Sequence, residues 1–150
     1  MDATGPTLHF SRDEYADRLA ATRAAMDAQG LDALVSVDPS NMAWLTGYDG
    51  WSFYVPQCVV VGPDGDPFWF GRGMDAPGAV RTTYLSAADI VPYPDHYVMS
   101  DERHPVDYLA GVLAERGWAH GRIGVEMDNY YYSARAHASL DAHLPGAELV

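Results

Sequence analysis

From Ser11 to Val150 the chain alternates between segments of helical periodicity and short apolar runs of strand length. This alternation limits the fold more than any other feature, because such a chain buries its apolar surface as a sheet flanked by helices. Ser11 ahead of Asp13 and Glu14 reads as an N-cap with acids in the first turn. Tyr15, Leu19, Thr22 and Met26 then recur at helical spacing until Gly30 stops the helix. Leu31–Val37 is a short run with β-branched residues, a strand. Pro39 and Ser40 open a short helix closed by Gly47. Trp51–Val61 is strand-like, and the Pro63-Asp64-Gly65-Asp66 turn returns the chain into Pro67–Phe70 as a hairpin. Asp75–Leu85 is expected to be a helix and Ile90–Tyr93 a strand. Pro105 then starts a helix whose stripe is Val106, Leu109, Val112 and Leu113, ending at Gly117. Arg122–Met127 is the next strand, and Ser133 caps a final helix ended by Leu144-Pro145-Gly146. The expected class is α/β, a mixed β-sheet flanked by helices, the hairpin supplying the antiparallel pairing.

The length of 150 residues suits one domain, read as a lead-in over 1–9 and a folded unit over 10–150. With 48% hydrophobic residues the chain has apolar surface enough to fold despite a net charge of -12. Ala147–Val150 begins another strand with no breaker after it, which points to a chain that continues; a C-terminal edge strand is the alternative. All nine basic residues are Arg, unclustered and outnumbered by 21 acids, which argues against nucleic-acid and anionic-membrane partners. An acid-rich, Lys-free surface suits a halophile's cytoplasm, where salt screens self-repulsion, and high genomic GC content gives the same Arg bias. The N-terminus has no signal-peptide pattern and no run of 18 apolar residues exists, so a cytoplasmic protein is expected. Cys58, the single cysteine, lies in an apolar run and reads as a small buried hydrophobe.

Five aromatic residues crowd Asn41–Cys58, and aromatics at a Gly-punctuated junction indicate an interface or a cup for a small ligand. A strand from Trp51 would put Trp51 and Phe53 on one face, Ser52 and Tyr54 on the other. Arg72, between Gly71 and Gly73, offers a bidentate fork to a carboxylate, or is a turn arginine. His96 beside Asp95 is a base without an evident nucleophile, better read as a loop histidine at a domain rim. Glu126 and Asp128 share a strand face, a carboxylate pair or, more commonly, acids that face solvent or cap the next helix. Tyr130–Tyr132 fit a dimer seam, where aromatics are enriched. The sequence holds no compact set of nucleophile, base and oxyanion donors, and no Asp, His and Glu cluster at metal-ligand spacing. It reads as a supporting domain.

The element order, with Asp38-Pro39-Ser40-Asn41, Leu45-Thr46-Gly47, the aromatic segment and the Pro-Asp-Gly turn, resembles the N-terminal domain of the creatinase, prolidase and aminopeptidase P superfamily. Within it, Asn41–Val55, Tyr93–Tyr97 and Gly124–Tyr131 are most similar to the ectoine hydrolases. The resemblance implies a creatinase/prolidase N-terminal domain with a ribonuclease H-like motif, and a pita-bread catalytic half that lies C-terminal to it and is absent from this chain. It implies no catalytic residue, metal ligand or cofactor here. The His and carboxylates that bind two metals in the peptidases belong to that other half, and creatinase-like members work without metal. It further implies homodimerisation of the full-length enzyme, with side chains lent to the partner subunit's active site, the matching stretch being Trp51–Val55. Together with Arg72 and His96, read above from their own surroundings, Trp51, Phe53 and Tyr54 of that stretch are the residues expected to meet substrate in trans. Where creatinase places an arginine for its carboxylate substrate, this chain has apolar residues or Pro56. The implied reaction is hydrolysis of ectoine's C–N amidine bond. Ectoine's delocalised cation suits aromatic faces, at about 0.5–2 kcal/mol per contact. The alternatives are a stand-alone small-molecule-binding or interaction module, and the N-terminal domain of a Xaa-Pro dipeptidase or aminopeptidase.

Overall fold

Strand β1 (Ala33–Ser36) lies inside a six-stranded sheet, between β2 (Cys58–Val61) and β5 (Gly121–Val125). The computed structural model describes residues 5–150, so four residues of the expected lead-in lie outside it. Thr7 of the lead-in donates its N–H to the Arg81 carbonyl. The strand order is β4-β3-β2-β1-β5-β6, with β3 at Phe68–Arg72, β4 at Ile90–Tyr93 and β6 at Ala147–Leu149. β2 runs antiparallel to both β1 and β3, whereas β1–β5, β5–β6 and β3–β4 pair in parallel. Five strands therefore share one direction and β2 opposes them. Their C-terminal ends and the N-terminus of β2 meet at one edge of the sheet.

Helices cover both faces. α1 (Arg12–Gln29), α2 (Pro39–Thr46) and α3 (Ala76–Thr82) lie on one face and α4 (Pro105–Glu115) and α5 (Ala134–His143) on the other. Alternation along the strands separates the two cores. Val59, Val61 and Trp69 meet Leu19, Met26, Met42 and Leu45, while Cys58, Val60, Phe68 and Phe70 meet Leu109, Leu113, Ala136 and Leu140. Covering on both sides explains why β2 reads as an unbroken apolar run.

The caps fall where the sequence puts them. Ser11 accepts from the Glu14 N–H, and Gly30 ends α1 at φ 65. Gly47 closes α2 at φ 86, and Asp38, not singled out as a cap in the sequence, caps its start by accepting from the N–H groups of Ser40 and Asn41. A side chain at Gly47 would also come within 2.7 Å of the Thr82 carbonyl. Ser133 accepts from the Ala136 N–H at the start of α5. Cys58 is buried and its thiol is pushed up, chiefly by burial, so it acts as a hydrophobe. Among the described residues no helix is long and apolar enough to cross a membrane.

The expected strand over Trp51–Val61 is wrong in its first half: pairing begins only at Cys58. Register supplies the reason. Ser36, the last residue of β1, pairs with Val59, so β1 offers no partner beyond it, and although β3 runs on past Phe70, the partner of Cys58, its Gly71 and Arg72 pair with Pro92 and Tyr93 of β4 and not with the loop. Pro56, which has no N–H, also disfavours extension. The expected helix over Asp75–Leu85 is shorter, running Ala76–Thr82 after a 3-10 turn at Gly73–Asp75. The expected strand over Arg122–Met127 ends at Val125.

Candidate functional site

The aromatic loop between α2 and β2 is held at both ends. Tyr48 donates its hydroxyl to Gln57 Oε1 at 3.0 Å, and Tyr93 donates to the Pro56 carbonyl at 2.8 Å. Burial pushes the Tyr48 hydroxyl up to about 12, so it stays a donor at any physiological pH. Gly50 has to be glycine, because a Cβ there would lie 1.9 Å from the Tyr48 hydroxyl oxygen. Ser52 and Val55 turn inward, whereas Trp51, Phe53 and Tyr54 are 83%, 40% and 60% exposed.

Because the strand starts late, the outward rings share one patch instead of opposite faces. Phe53 stands edge-on to Trp51 at 5.5 Å, to Tyr54 at 6.2 Å and to Tyr131 at 6.0 Å, and Tyr131 stands edge-on to Tyr130 at 5.4 Å. Such pairs favour mutual orientation by about 0.5–1.5 kcal/mol each. The patch joins the loop before β2 to the loop after β5. Tyr132, the third of its run, turns into the core and shares a hydrogen bond with His137 Nδ1 at 3.2 Å.

Arg72 does form a bidentate fork, but to its own chain. Its Nε and Nη2 donate to Asp95 Oδ1 and Oδ2 at 2.9 and 3.3 Å. These bonds raise the guanidinium further above its ordinary value and hold the Asp95 carboxyl below the usual carboxylate range. His96 is exposed on the turn Asp95–Tyr97, its ring 4.7 Å from that of Tyr97. Trp51, Phe53 and Tyr54 are thus brought together. Arg72 and His96 lie at the same sheet edge around Asp95, outside the ring contacts that join the patch.

Glu126 has a larger part than the sequence assigned it. Its carboxylate accepts from the N–H groups of Val37 and Asp38 at 2.6 and 2.7 Å, from Ser36 Oγ at 3.0 Å and from Asn41 Nδ2 at 2.6 Å. One side chain so gathers the end of β1 and the start of α2. Asp128 is exposed, as the solvent-facing alternative for these acids had it, and the two do not form a carboxylate pair. Asn129 continues the seam by donating to Asp38 Oδ2 at 3.2 Å and accepting the Tyr131 N–H at 2.9 Å. Burial pushes Asp38 up, yet the bonds from Asn129, Asn41 and Ser40 outweigh it and leave its carboxyl below the ordinary value. Asn129→Ala is expected to cost about 1 kcal/mol of stability. It should also release Tyr131 from Phe53, seen as loss of aromatic cross-peaks between them in an NMR spectrum.

Among the described residues no three His, Cys, Asp or Glu side chains come together as a metal site.

Comparison with known proteins places this arrangement. The creatinase/prolidase N-terminal domain family matches residues 18–150. Ectoine hydrolase of Halomonas elongata is 56% identical over 142 residues, covering 94% of this chain and 36% of that protein. An uncharacterised hydrolase/peptidase of Sinorhizobium fredii is 45% identical, covering 92% of this chain and 36% of its own length. The chain therefore spans little more than a third of the curated relatives it matches. Among solved structures, the N-terminal domain of a Xaa-Pro dipeptidase from Lactobacillus brevis superposes with a TM-score of 0.69 at 18% identity, covering 84% of this chain and 87% of that one. The N-terminal domain of a cytoplasmic peptidase from Mycobacterium tuberculosis superposes at 0.65 with 25% identity, covering 89% and 91%. A match over most of the sequence and a shared mixed-sheet architecture agree: the chain belongs to the creatinase/prolidase N-terminal domain family.

Proposed function

We propose that this chain is the non-catalytic N-terminal domain of a creatinase-superfamily hydrolase that opens the ectoine ring at its C–N amidine bond. The observation that carries the reading is 56% identity to ectoine hydrolase over 94% of the chain. The relative is far longer than the match, which supports a separate catalytic half. The patch of Trp51, Phe53, Tyr54, Tyr130 and Tyr131 is the surface turned toward a catalytic domain, the chain's own or a dimer partner's. Its support is exposure: five rings on two anchored loops leave apolar area in water unless a partner covers it. In this reading the domain shapes and dries the substrate pocket, and the proton transfers belong to the other half.

The test is turnover by the full-length enzyme. Ectoine hydrolysis should require the catalytic half, and residues 1–150 alone should show none. Phe53→Ala in the full-length enzyme is expected to raise KM about 3- to 30-fold, the equivalent of one aromatic contact. It should leave the melting temperature of the 150-residue chain within about 2 °C, since Phe53 stands on the surface. Unchanged kinetics would remove the patch from the pocket. Cleavage of Xaa-Pro dipeptides in preference to ectoine would move the substrate to the prolidase side of the family, and micromolar ectoine binding by the isolated chain would favour a stand-alone binding module.

A further inference from the structure

The start of α4 is tied down by one imidazole and one carboxylate. His104 Nδ1 accepts from the Val106 N–H at 3.3 Å, and Asp107 Oδ2 accepts the His104 N–H at 2.8 Å. The other oxygen of Asp107 accepts the Ser139 hydroxyl of α5 and lies 3.6 Å from His143 Nδ1. A ring nitrogen that accepts must keep its lone pair, so the cap exists only with His104 neutral and its proton on Nε2. Protonation turns the acceptor into a second donor aimed at a helix N-terminus, where partial positive charge already collects.

The surroundings sharpen this. His104 forms part of the wall between two spaces: an apolar cavity of about 40 Å³ that reaches Cys58 and Leu140, and an open groove of about 150 Å³ bounded by Tyr54, Met99 and Arg103. Arg135 of α5 lines the groove too, its Nη2 donating to the carbonyls of Ser100, Asp101 and Arg103 at 2.8, 3.4 and 3.4 Å. The loop it holds contains Met99 at φ 50, the one non-glycine residue with a left-handed backbone among the described residues. Such a conformation persists only where its surroundings enforce it.

We propose that His104 is a proton-operated latch: the neutral ring caps α4 and closes the wall between groove and cavity, and the imidazolium lets go of both. Burial and the Arg135 charge favour the neutral ring and hold His104 below its ordinary value, while Asp107 opposes them; Arg103 on the loop and Tyr131 and Tyr132 before α5 complete the surroundings. A histidine depressed in the fold contributes stability that is complete above about pH 6.5 and is lost as pH falls from there through the folded value. Asp107 is held below its ordinary value of 3.8 and stays ionised across that window, so its own charge does not change there; His143, 3.6 Å from its other oxygen, acts on that carboxylate and not on the cap. The inference stands apart from the proposed function, because its test reads the 150-residue chain itself.

Two measurements decide it. Nitrogen shifts of the His104 ring at pH 7.5 should report the Nε2-protonated tautomer, and a proton on Nδ1 would overturn the proposal without any variant. Hydrogen exchange at the Val106 amide, corrected for the intrinsic pH effect, should speed several-fold, with a ceiling of about tenfold, between pH 7.5 and 5.5. In His104→Asn, which caps without titrating, it should stay flat. A flat profile in the unmodified chain, or the same acceleration in His104→Asn, would also overturn it.

Discussion

Trp69→Ala is expected to destabilise the chain by about 4 kcal/mol, the upper part of the range for deleting a large core side chain. Trp69 sits in β3 between β2 and β4, fully buried, with its ring 5.3 Å from that of Tyr48. The ring lies along its own strand over Gly71, where a Cβ would come within 2.2 Å of Cζ2. No neighbour fills the space the indole would leave. Gly71 has no side chain, and Val59 and Val61 are fixed in a strand paired on both sides. Against a typical stability of about 5–15 kcal/mol, such a loss brings the domain near its unfolding threshold. Urea titration should show a lower midpoint at unchanged slope, and a loss below about 1 kcal/mol would mean that the core repacks around the gap. The effect should reach the surface as well. Tyr48 loses the ring it leans on, and through its bond to Gln57 the aromatic loop loses an anchor.

Glu126→Ala is the second large effect, about 3 kcal/mol. Four donors lose one acceptor group, and two of them are backbone N–H groups that no other rotamer can satisfy. Part of the cost is recovered because the carboxylate is only half-buried, so water can reach some of the freed donors. Glu126→Gln should recover about half, since one amide oxygen can accept where two carboxylate oxygens did while the amide N–H₂ faces the donors. Chemical denaturation of the three proteins measures this. Equal stability of Glu126→Ala and the unmodified chain would show that water replaces the carboxylate outright.

What the sequence disclosed divides by distance along the chain. Local chemistry was legible. The caps at Ser11 and Ser133 and the stops at Gly30 and Gly47 each depend on residues within one turn, and all fall where the residue types put them. The mixed sheet followed from one turn and from alternation, and the family followed from the segments around Asn41 and Tyr93. The start of β2 was not legible, because aromatic and β-branched residues look alike in a strand and in an exposed loop. Only the register with β1 and β3 decides where pairing stops. Glu126 was under-read for a similar reason. Its partners lie 85 to 90 residues earlier and become neighbours only through the parallel pairing of β1 with β5. The fork of Arg72 was anticipated in form, with its carboxylate sought in a ligand, whereas the chain supplies Asp95.

The reversed direction of β2 has an evolutionary consequence. In a wholly parallel sheet this edge would receive only the connections that leave strands, but here it also receives one that enters a strand. Two kinds of segment can then lengthen, shorten or exchange rings independently while the hydrogen-bonded frame beneath stays intact. Descendants of one scaffold can change the surface presented at this rim without disturbing the sheet.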